Sequence, residues 1–119
     1  MKSILCLLTT IFALLTAPLA AQELSGLARL NADNSFIGAD GDNLSIALSL
    51  SQPVPWRLRL LDNPPRLIMD FREVDWQNLA AVQIDPDAIL GIRAGVFRPA
   101  WSRLVIELNG PMAIDRSEM

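Results

Sequence analysis

The chain has 119 residues, a formal charge of −3, a single cysteine, and neither histidine nor tyrosine. That length suits one domain, and the acidic balance lacks the basic footprint of a nucleic-acid binder. With no histidine and one cysteine, it lacks the residues for a Cys/His zinc centre or a Ser–His catalytic pair.

The first segment is a leader. Lys2 precedes an uncharged apolar run over 4–17, and the small residues of "APLAA" are followed by polar Gln22 and Glu23. This is the layout of a secretory signal peptide. The run is shorter than the roughly 20 apolar residues that a bilayer span takes. Cleavage is expected after Ala21, giving a signal peptide at 1–21, a mature domain at 22–119 and no stable membrane span afterwards. Cys6 leaves with the leader, so the mature domain has no disulfide to hold it, and its basic residues are nine arginines and no lysine.

From there the hydrophobic period is two, which predicts strands. "SGLARLN" at 25–31 is a weak first strand, and "GADGDN" at 38–43 is a polar turn. "LSIALSL" at 44–50 places Leu44, Ile46, Leu48 and Leu50 on one face. After a bend at "SQPVP", "WRLRLL" at 56–61 puts Trp56, Leu58 and Leu60 inward and Arg57 and Arg59 outward. "DNPP" then leads into "RLIMDF" at 66–71, with Leu67, Met69 and Phe71 inward. "WQNLAAVQ" at 76–83 is long enough only for a helical turn. "LGIRAGVF" at 90–97 is expected to point Leu90, Ile92, Ala94 and Val96 one way. "RPAW" turns the chain into "RLVIEL" at 103–108, with Leu104, Ile106 and Leu108 inward, and "MAI" at 112–114 would begin a further strand. The prolines fall at strand ends, where the missing N–H costs no ladder bond. The expected fold is therefore all-β, a small sandwich of two sheets and about seven short strands, since a sheet with one apolar face needs a second layer.

"RLIMDF" and "RLVIEL" are one pattern written twice: Arg, Leu, aliphatic, aliphatic, acid, apolar. Within either strand the Arg and the acid lie four residues apart, about 13 Å, too far to touch. Each charge must find its partner on a neighbouring strand. If the two strands paired antiparallel, Arg66 would meet Glu107 and Asp70 would meet Arg103.

The order "ALSLSQPVPWRLRLLDNPPRLIMDF", then "GIRAGVFRPAWSRLVIELNGP", resembles an AMIN domain, the N-terminal module of secreted bacterial N-acetylmuramoyl-L-alanine amidases, also found in secretin-type outer-membrane channels. The likeness covers roughly 24–114. It implies two facing β-sheets carrying an internal pseudo-repeat, with one repeated strand in each sheet and their apolar sides in contact. It also implies a periplasmic location and peptidoglycan as the partner, with divisome or envelope proteins as further ones. In such amidases a zinc catalytic domain follows; here the β domain at 22–119 reads as truncated at its C-terminal end, so the resemblance places zinc only in the missing domain. With no histidine and no mature cysteine, the chain by itself is expected to hold no cofactor and to hydrolyse nothing. The alternatives are the N-terminal module of a secretin and a free-standing periplasmic adaptor.

Candidate wall-binding residues follow from chemistry alone. Arg98, Arg93, Arg57 and Arg59 can grip the carboxylates of peptide stems bidentately; the plain alternative for each is a solvated arginine. Trp101, in the "RPAW" turn, is the aromatic residue expected nearest the surface, whereas Trp56 falls on the apolar face and Trp76 is expected in the core or capping a sheet edge. "DGDN", with Asp40 and Asp42, lacks the spacing and distal glutamate of a calcium loop and is expected to be a solvated turn.

Overall fold

The computed structural model describes residues 27–119. The leader predicted at 1–21 lies outside the described residues. Two four-stranded sheets pack face to face.

The first sheet is built on β1 (Ala28–Asp40), which pairs antiparallel with β2 (Asn43–Leu50). The turn between them is Gly41-Asp42, and Gly41 takes φ 64, a conformation that suits a residue without Cβ. The "weak first strand" of the sequence is thus a strand of 13 residues that continues into the expected turn. Its register shifts between Asn31 and Phe36. There the buried Ser35 hydroxyl donates to the Asn31 carbonyl at 2.6 Å and accepts the Ser49 N–H at 2.9 Å. Two short strands complete the sheet by pairing parallel with β1: β5 (Val74–Asp75) and β6 (Gln83–Ile84). A single 3-10 turn, Leu79–Ala81, lies between them, in the stretch expected to hold a helical turn.

The second sheet has the order β3 (Trp56–Leu61), β4 (Arg66–Arg72), β8 (Trp101–Leu108), β7 (Ile89–Arg98), all antiparallel. Both expected hairpins form. The second turns through Pro99 and Ala100, and Ala100 adopts φ 64.

Three expectations are corrected. The repeated strands do not sit in opposite sheets; β4 and β8 are neighbours in one sheet, with Arg66 opposite Glu107 and Asp70 opposite Arg103. An Arg-to-acid pattern is self-complementary when reversed, so antiparallel pairing matches both charges at once. Second, Leu90 and Val96 are not buried: they are 69% and 79% exposed. A register shift between Ile89 and Gly91 takes Leu90 out of the alternation, and Ile89 is buried in its place; Val96 keeps the side of Ile92 and Ala94, opposite Ser102, but is left uncovered near the end of the strand. Third, residues 112–114 form no strand.

The core lies between the sheets. Ala28, Leu30 and Ile37 of β1 meet Leu67, Met69 and Phe71 of β4 and Leu104, Ile106 and Leu108 of β8. Phe71 is held between two tryptophans, 6.5 Å from Trp56 and 5.2 Å edge-on from Trp76. The Trp76 indole N–H donates to the buried Ser102 hydroxyl at 2.8 Å, so the tryptophan enters the core with its polar edge satisfied.

Candidate functional site: an arginine face

Antiparallel register puts directly opposed residues on the same side of a sheet. The outward side of the second sheet can therefore be read across its strands in rows. One row runs Arg57, Asp70, Arg103, Gly95; the next runs Arg59, Ile68, Val105, Arg93. Beyond the first, Arg72 opposes Trp101, which opposes Arg98. Beyond the second, Leu61, Arg66, Glu107 and Gly91 follow.

All five candidates, Arg57, Arg59, Arg93, Arg98 and Trp101, thus lie on one face. With Arg66, Arg72 and Arg103 it holds seven of the nine arginines of the chain, against two carboxylates, Asp70 and Glu107. The net charge of −3 conceals this, because the other acids lie elsewhere in the chain. The alternation of β3, β4 and β8 gathers the arginines, since their other sides are committed to the core.

Asp70 organises the middle of the face. It is 1% exposed and accepts a two-pronged contact from Arg103, Nε to Oδ1 at 2.7 Å and Nη2 to Oδ2 at 3.2 Å. Arg57 Nε stands 3.4 Å from the same carboxylate. The Arg103 hydrogen bond holds the Asp70 carboxyl below its ordinary pKa; burial opposes this, and the positive fields of Arg103, Arg57 and Arg59 assist it. The same bond raises the Arg103 pKa.

The aromatic residues are overlaid by guanidinium groups. Arg57 and Arg98 sit over the Trp101 ring, 5.3 Å and 5.2 Å from its centroid. Arg103 and Arg98 sit over Phe97, at 4.1 Å and 5.4 Å. These are cation–π distances. Trp101 is half-buried beneath its arginines. The sequence pointed to four of the arginines. Arg103 and Asp70 were read only as strand-aligning charges, and their joint position at the centre of the face depends on the β4–β8 pairing.

Among the described residues, no three His, Cys, Asp or Glu side chains converge as a metal-ligating group. No helix among them is long and apolar enough to cross a membrane. A search of curated proteins gives no match. The AMIN domain family model matches residues 35–118, which takes in β2, both hairpins of the second sheet and the whole arginine face. With two facing sheets and a match over most of its length, the chain belongs to the AMIN domain family.

Proposed function

We propose that this domain is a periplasmic peptidoglycan-binding module that localises a cell-wall amidase, and that it binds through the arginine face. The observation that carries the proposal is the gathering of seven arginines on one sheet face of a protein whose net charge is −3. Such a surface attracts polyanions, and the wall's peptides bear carboxylates. Membership of the AMIN family supports the same function. The amidase context is supported by the spacer "REVDWQNLAAVQIDPDAILGIR", which resembles amidase versions of the domain. In this proposal the domain's role is to bind and position, and hydrolysis belongs to a zinc domain elsewhere.

Retention on purified sacculi tests binding. The domain should sediment with sacculi above a control periplasmic protein, and equal recovery of the two would refute it. Replacing Arg98 and Trp101 together by alanine should weaken retention, since the pair forms one stacked corner of the face.

A further inference from the structure

The arginines of the face are not equivalent, because several already have acceptors within the protein. Arg103 is committed to Asp70 through two hydrogen bonds. Arg57 shares that carboxylate. Arg66 donates to the Asp62 and Pro64 carbonyls of its own turn, at 3.3 Å and 2.9 Å. Arg93 makes one contact, 3.3 Å to Glu107 Oε1, and its side chain remains 71% exposed. Arg59 is exposed and, among the described residues, makes no hydrogen bond or ion pair.

Arg59 and Arg93 stand at the two ends of one row, and between them lie Ile68 and Val105, 5% and 8% exposed. Three strand spacings separate the two backbones, about 14 Å. The row therefore has an exposed guanidinium at each end, that of Arg93 held by Glu107 alone, with two buried apolar residues between them. Each guanidinium offers five N–H donors in a planar fork that fits a carboxylate. A sugar platform needs an open aromatic face, and the Trp101 and Phe97 rings here lie under arginines.

We infer that the wall-binding face recognises the carboxylates of peptide stems rather than the glycan, with Arg59 and Arg93, at the two ends of one row, as the paired anion contacts. The inference rests on the wall-binding proposal for the same face. Its ligand is an acidic peptide with at least two carboxylates.

The test compares native sacculi with sacculi whose carboxylates have been converted to neutral amides. The chain should bind the first and lose at least about tenfold in affinity for the second, the scale of one lost hydrogen bond to a charged group. The double variant Arg59→Gln, Arg93→Gln should lose as much on native sacculi. The control Arg29→Gln, Arg116→Gln removes the same charge away from the face and should bind as the parent does. Equal binding to native and amidated sacculi would overturn the inference while leaving wall binding intact, as would an equal loss in the control pair. A soluble muropeptide with free carboxylates separates the two claims. If it binds in an Arg59- and Arg93-dependent way but sacculi do not, carboxylate recognition stands and wall localisation fails. Arg59- and Arg93-dependent binding to anionic phospholipid vesicles, with none to sacculi or muropeptide, would overturn both.

Discussion

Asp70 and Glu107 hold the same place in two copies of one six-residue pattern, and they end in opposite surroundings. Asp70 is 1% exposed between arginines on both neighbouring strands. The Glu107 side chain is 42% exposed and has one ion-pair partner, Arg93 at 3.3 Å. The difference comes from what stands beside each in its row. Asp70 is flanked by Arg57 and Arg103. Glu107 is flanked by Gly91, which has no side chain to cover it, and by Arg66, which turns to the carbonyls of its own hairpin. A repeated pattern thus yields one structural carboxylate and one surface carboxylate.

Substitutions at matched positions of the two strands test this contrast. At the sixth position the apolar residue of the first copy carries more. Phe71→Ala removes the ring between Trp56 and Trp76 and should cost about 4 kcal/mol in denaturant unfolding, against about 3 kcal/mol for Leu108→Ala. If the two costs were equal, the aromatic stack would contribute nothing beyond ordinary burial.

The fifth position gives the sharper contrast. Asp70→Asn leaves Arg103 and Arg57 without their anion and should cost about 2–3 kcal/mol, somewhat less than a fully buried pair because water still reaches Arg103. Glu107→Gln should cost less than about 0.5 kcal/mol, as expected of an exposed ion pair. Comparable losses from the two would show that burial of Asp70 does not govern its contribution.

Acid should act through the same residue. Since the folded-state pKa of Asp70 lies below its ordinary value of 3.8, its contribution is fully present above that pH and is lost as pH falls through the lower folded value. The thermal stability of the parent should therefore fall below about pH 4, and Asp70→Asn should remove part of that slope. Parallel pH profiles for Asp70→Asn and the parent would contradict this.

A small effect of the opposite sign is expected outside the repeat, in the hairpin turn that precedes its second copy. Ala100 has φ 64, a left-handed conformation that disfavours a residue with Cβ. Ala100→Gly should raise stability by about 0.5 kcal/mol, the relief of strain being partly offset by the greater freedom of the unfolded chain. A loss of stability would mean that the turn carries no strain.

The sequence was a good guide wherever alternation was uninterrupted. Leu67, Met69 and Phe71, and Leu104, Ile106 and Leu108, face the core as their spacing required. It failed at the start of β7, because a bulge between Ile89 and Gly91 removes Leu90 from the alternation and leaves no mark in composition, while Ile92 and Ala94 beyond it still face the core. Leu90 shows the result, at 69% exposed.

The site divides in the same way. Local physics determined that Arg57, Arg59 and Arg93 would stand on the outward sides of their strands, because a strand must bury its apolar side and cannot bury unpaired guanidinium groups. Which strands lie beside one another was decided only by tertiary pairing. Two copies of a self-complementary pattern could match each other within a sheet or pack back to back across the core, and both arrangements bury the same leucines. The structure takes the first, with Asp70 between Arg57 and Arg103 and the arginines of all four strands on a single surface. The sequence supplied the charges; the strand order β3-β4-β8-β7 made them one face.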